Sequence, residues 1–167
     1  VGNAAARAAF YTAAAGRSMP HAWLLTGPEG VGKSIFALQA AEHILASAAD
    51  PSIPLRGDAD LSGNAMASQV RHRSHPDFRM LERLPKDPKK PEGGLARSIK
   101  VDQIRDLQPL FSTRPTYSQR RIVIIDSIDD CERSAANALL KNLEEPPSGT
   151  IFLLISHSPG RLLPTIQ

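Results

Sequence analysis

Apolar residues in this chain fall into short unbroken runs, separated by stretches with a helical period. "AWLLT" (Ala22–Thr26), "RIVIID" (Arg121–Asp126) and "TIFLLIS" (Thr150–Ser156) each have the length of a strand. An unbroken apolar run, as opposed to an alternating one, marks a strand covered on both faces. "FRMLERL", residues 78–84, is a candidate for one more. Residues 1–19 read as an Ala-rich amphipathic helix closed by Gly16. "GKSIFALQAAEHILASA" sets Ile35, Leu38, Ala41 and Leu45 on one helical face. "SIKVDQIRDLQPLF" does the same with Val101, Ile104, Leu107 and Leu110, and has Asp102 near its start. "SAANALLKNLEEPP" predicts a helix capped by Ser134 and stopped by Pro146, with Leu139, Leu140 and Leu143 inward and Lys141 and Glu144 outward. Strands alternating with helices predict an α/β domain of three layers, a central parallel sheet flanked by helices.

Two stretches break the pattern. Residues 48–76 are rich in Pro, Gly, Ser and Asp, and predict an irregular segment with one short helix around Asn64–Arg71. "PKDPKKPEGG", residues 85–94, predicts an exposed loop. There is no internal repeat.

Composition narrows the class without choosing a function. The 167 residues are about one domain's worth, and 41% apolar with 22% charged is ordinary for a soluble globular protein. A net charge of +3 permits contact with nucleic acid but does not argue for it. Cys131 is the single cysteine, which excludes an internal disulfide and a Cys-rich zinc site. No apolar run approaches the roughly 20 residues that span a bilayer. The first residues, interrupted by Arg7 and Arg17, lack signal-peptide anatomy. The expectation is a cytoplasmic protein with no membrane contact.

The chemistry concentrates at the first strand's exit. Gly27, Pro28, Glu29, Gly30, Val31, Gly32, Lys33 and Ser34 match G-x-x-x-x-G-K-[ST] in full, with a strand before and a helix after. Glycines let backbone N–H groups turn inward around a phosphate, and the helix N-terminus adds positive partial charge. Lys33 would reach the outer phosphates and the Ser34 hydroxyl would ligate magnesium. The alternative is a Gly-rich turn that binds nothing.

Asp126 ends the strand "RIVIID", the Walker B pattern, and would support the same magnesium. Many ATPases of this architecture carry a glutamate next, to polarise the attacking water. Here the residue is Ser127, whose hydroxyl has no basicity near neutral pH. Asp129 and Asp130 follow, and spacing leaves open whether either reaches a phosphate. Ser156, at the tip of another core strand, either senses the outer phosphate or meets solvent. These residues predict ATP or ADP bound with Mg²⁺ and little hydrolysis.

The segments "MPHAWLLTGPEGVGKS", "SHPDF", "VDQIRDL", "RIVIIDSIDD", "SAANALLKNLEEPP" and "FLLISHSPGRLLPTI" occur in that order. Together they resemble the delta-prime subunits of bacterial DNA polymerase III, a branch of the AAA+ clamp-loader family. The resemblance runs the length of the chain. It implies a P-loop NTPase (AAA+) fold for residues 1–167. It also implies a scaffold role in an assembly that places a ring-shaped sliding clamp on primed DNA. Its partners would be the gamma/tau and delta subunits, with the clamp reached indirectly.

By the same resemblance Lys33, Ser34 and Asp126 match the nucleotide motifs, Ser156 or its neighbour His157 matches sensor 1, and Val1 and Gly2 fall where adenine is contacted. Ser127 departs from the glutamate of the ATPase subunits. Residues 48–76 lie where relatives carry a four-cysteine zinc module, yet have no cysteine, and His72 and His75 alone do not make a site, so no zinc is expected. A Ser-Arg-Cys motif, a lid and a collar would follow Gln167, and Arg161 does not match the finger arginine. Two other readings stay open: an active gamma/tau-like ATPase motor, and a P-loop kinase, for which no acceptor pocket or lid arginine is visible.

Overall fold

The computed structural model describes residues 4–16 and 20–158. Four parallel strands form its centre: β1 (Ala22–Thr26), β2 (Phe78–Leu81), β3 (Arg121–Asp126) and β4 (Thr150–Ser156). Their order is β1-β4-β3-β2. Thr26 pairs with Ser156, Asp126 with Ile155 and Leu81 with Ile125, so all four carboxyl ends share one edge of the sheet.

The central strands are covered on both sides. Ile122 and Ile124 of β3 and Ile151, Leu153 and Ile155 of β4 pack with α1 (Ala4–Ala15) and α2 (Lys33–Ala49). Val123, Ile125, Phe152 and Leu154 face the opposite layer of α4 (Val101–Arg105), α5 (Gln108–Phe111) and α6 (Arg133–Glu144). Ile122 through Ile125 are each fully buried, and each contributes about 1.5–3 kcal/mol of burial. This is the expected three-layer α/β sandwich, a P-loop NTPase fold. Among the described residues β1 is an edge strand; Ala22–Leu25 are half-buried and Thr26 is exposed, short of the full burial its composition suggests.

Several elements differ in detail from their sequence patterns. The inward stripe of α2 is Ala37, Ala40, Ala41, Ile44 and Leu45, and small residues let the helix lie close on the sheet. Ile35 instead stands 53% exposed at the start of α2. The helix expected over residues 98–111 is two short ones. Pro109 has no N–H to give to the carbonyl four residues back, so the ladder lapses at Asp106 and Leu107. On α6 the N-cap is Glu132 and not Ser134. The first helical bond runs from the Ala136 amide to the Glu132 carbonyl, and the Glu132 carboxylate accepts from the Val101 amide at 3.0 Å. One side chain thereby joins the starts of α4 and α6. β2 ends at Leu81, three residues before its apolar pattern does.

Residues 50–64 are irregular, and α3 (Ala65–Arg71) follows, capped by Asn64, whose Oδ1 accepts from the Ala67 amide at 3.0 Å. Ala46, Leu61 and Ala67 form a small apolar cluster beneath the segment. Asp77, at the entry to β2, is buried and accepts from the Thr116 and Tyr117 amides at 2.8–3.2 Å. The buried Arg121 donates to the Thr113 carbonyl. These two groups fix the loop before β3. Among the described residues no helix is long and apolar enough to cross a membrane.

Candidate functional site

The loop after β1 turns three times through glycine. Gly27, Gly30 and Gly32 have φ of 147°, 86° and 91°, where a β-carbon would be strained. The last of these opens α2, whose first turn holds Lys33 and Ser34. Lys33 is 8% exposed, and its Nζ donates to the Gly27 and Pro28 carbonyls at 2.6 and 2.5 Å. The ammonium is thus centred in the loop it belongs to. The Ser34 hydroxyl donates to Asp126 Oδ2 at 2.6 Å. Two oxygens 92 residues apart in the sequence meet there because β1 and β3 both flank β4. A hydroxyl beside a carboxylate is a donor set suited to a hard divalent cation such as Mg²⁺.

These groups open on a cleft of about 520 Å³, within the range of small-molecule sites. The loop contributes Glu29, Gly30, Gly32, Lys33 and Ser34; the end of β3 contributes Asp126 and Asp130; His157 enters after β4. Glu82 and Arg83, just past β2, close the far wall, and Ile35 and Leu95 form an apolar rim. Glu29 and Pro28 are solvent-exposed, and Val31 stands 43% exposed on the loop's outer side.

Ser156 and Ser127 lie beneath this surface. Ser156 is fully buried and its hydroxyl donates to Asp129 Oδ1 at 2.8 Å. Ser127 is buried too, and donates to Asp129 Oδ2 at 3.0 Å. The same carboxylate accepts from the His157 amide at 2.6 Å and the Ser158 amide at 3.3 Å. Burial works to raise the Asp129 pKa, but these amide and hydroxyl donors outweigh it and hold the carboxyl below its usual range. Asp129 is therefore a brace between the ends of β3 and β4, with its lone pairs committed. Asp130 reaches the cleft, where its Oδ2 is 3.5 Å from Arg83 Nε.

The sequence pattern points to the loop, Asp126 and the serines, with Asp130 and His157 as their neighbours. It missed Arg83 and Glu82. Nothing local marks them: they reach the cleft only because β2 pairs beside β3, an order that no spacing in the chain displays. Val1, Gly2 and Arg161 lie outside the described residues.

Cys131 follows the Asp129–Asp130 pair. Burial, with the charges of Asp130, Asp129 and Glu132, pushes its thiol up to about 12. It stays protonated at any ordinary pH.

The family model described as "DNA polymerase III, delta subunit" matches residues 2–167. DNA polymerase III subunit delta' of Pseudomonas aeruginosa is 39% identical over 148 residues, covering 88% of this chain and 40% of that protein. The delta' subunit of Bacillus subtilis is 34% identical over 150 residues, covering 89% and 40%. The chain thus spans about two fifths of the length of these curated relatives. A gamma subunit-related DNA polymerase III protein of Thermotoga maritima shares the fold, with a TM-score of 0.55 at 20% identity over 90% of this chain and 39% of that one. The chain belongs to the DNA polymerase III delta-subunit family and, within it, stands with the delta-prime proteins.

Proposed function

We propose that this domain is the P-loop module of a delta-prime-like clamp-loader subunit, one that holds ATP or ADP with Mg²⁺ weakly and hydrolyses it little or not at all. Its partners are the gamma/tau and delta subunits. Through them it helps to place a sliding clamp on primed DNA during replication, in the cytoplasm. The names of its relatives support membership in that assembly.

Lys33, the glycine amides of residues 27–32 and the N-terminus of α2 bind the phosphates. Ser34 and Asp126 hold the magnesium, which would neutralise phosphate charge in a cleft that also contains Glu29, Glu82 and Asp130. For phosphate to reach Lys33, its Nζ exchanges the Gly27 and Pro28 carbonyls for phosphate oxygens.

One observation carries the non-hydrolysing half of the reading. The residue after Asp126 is a serine, its hydroxyl is buried on Asp129, and Asp129 is itself committed to four donors. Neither the Ser127 hydroxyl nor the Asp129 carboxylate is free to activate a water. A steady-state phosphate-release assay on the full-length protein tests this. The expected trace does not exceed that of Lys33→Ala, while calorimetry shows nucleotide bound by the parent and not by the variant. Turnover that vanishes with Lys33→Ala would instead favour the gamma/tau-like motor.

A further inference from the structure

We propose that Arg83 is the second phosphate-binding cation of the cleft, that it engages only the outermost phosphate and so prefers a nucleoside triphosphate to a diphosphate, and that Asp130 competes with the ligand for it. The inference rests on the nucleotide reading above. Lys33 and Arg83 are the permanent cations among the lining residues, against the carboxylates of Glu29, Glu82, Asp126 and Asp130. A polyphosphate entering such a site depends heavily on each cation. Glu82 is paired with Arg73 at 2.7 Å, and Asp126 is held by Ser34. Asp130 is the carboxylate that faces Arg83.

Topology decides which phosphate Arg83 can reach. In the order β1-β4-β3-β2 the phosphate loop follows one edge strand and Arg83 follows the other, with Asp126 between them. A phosphate chain anchored in the loop and crossing the Asp126 position meets Arg83 last. The guanidinium is free to make that contact. Its Nε stands 3.5 Å from Asp130 Oδ2, longer than a charge-assisted bond of about 2.8 Å, and the side chain is 40% exposed. An exposed pair of that length is held weakly. A planar guanidinium also suits bidentate contact with phosphate oxygens better than an ammonium does.

The test is calorimetric titration of the full-length protein with ATP–Mg²⁺ and, separately, ADP–Mg²⁺. Arg83→Gln is expected to weaken ATP by about tenfold, one charge-assisted contact, and to leave ADP nearly unchanged. Asp130→Asn is expected to tighten ATP, and to lose most of that gain when combined with Arg83→Gln. Equal weakening of both nucleotides by Arg83→Gln, or no effect on either, overturns the assignment while nucleotide binding stands. A parent protein that takes up neither nucleotide overturns the nucleotide reading and this inference with it. Arg83 is at the surface, so an unchanged melting temperature is expected of the variant, and a fall of several degrees would count against a purely ligand-directed role.

Discussion

Asp129 shows how a residue can look catalytic in a sequence and be architectural in the fold. It stands three residues past the strand-end acid, close enough to suggest a substitute for the missing glutamate. Its carboxylate instead ties Ser127, Ser156, His157 and Ser158 together, under the cleft floor. Asp129→Ala leaves two buried hydroxyls and two amides without an acceptor and is expected to cost about 2–4 kcal/mol in chemical denaturation. The pH dependence has a definite sign. The folded pKa lies below the ordinary 3.8, so the unfolded chain binds a proton more readily than the folded one. The stabilisation is complete above pH 3.8 and is lost as pH falls through the folded value. The gap between parent and variant should then close in acid. A gap that stays constant from pH 7 to pH 3 would show that the carboxylate's charge is not what holds the brace.

Helix α6 separates what a local pattern shows from what it does not. Its helical period was plain, and Leu139 is 1% exposed as the spacing demands. Yet the buried stripe runs through Ala135, Leu139 and Asn142, with Leu143 packed at its margin, and Leu140 is only half-buried. Asn142 takes an inward place because Gln108 of α5 donates to its Oδ1 at 3.3 Å, a tertiary partner no helical wheel can announce. Leu139→Ala should cost about 2–5 kcal/mol, and Leu140→Ala about 1 kcal/mol, in urea midpoints of the two variants. Equal losses would mean the face is misassigned.

The same division runs through the other elements. The strands and the phosphate loop were legible because strand burial and glycine-dependent turns are written in neighbouring residues. The break at Pro109, the cap at Glu132 and the arrival of Arg83 were not, because each depends on what lies beside it in space. A proline stands two residues from the break, but the apolar period of the sequence continues across it.

For the molecule as a whole, one helix and one loop each bury a histidine that water would otherwise serve, and this makes its stability depend on pH near neutrality. His43 lies in α2 against Tyr11, with Glu42 and Asp58 as nearby charges and Arg7 opposing them. His75 lies before β2, where its Nδ1 accepts from the Asp77 amide at 2.9 Å and so must be unprotonated. It is 2% exposed, with the charges of Asp77 and Arg79 nearby. Burial depresses both histidines below the ordinary 6.5, by more than the neighbouring carboxylates raise them. Below pH 6.5 the unfolded chain therefore takes up protons that the folded chain refuses, and stability must fall as pH falls. The slope is at most about 1.4 kcal/mol per pH unit for each histidine, between 6.5 and its folded value. Denaturation of the full-length protein at pH 7.5, 6.5 and 5.5 should show the loss. His75→Asn should flatten it by up to half while destabilising the fold at every pH, and His43→Gln should remove the remainder. A parent curve that is level across that range, or one that rises toward acid, would place the charged form of both rings inside the fold and contradict the packing described for them.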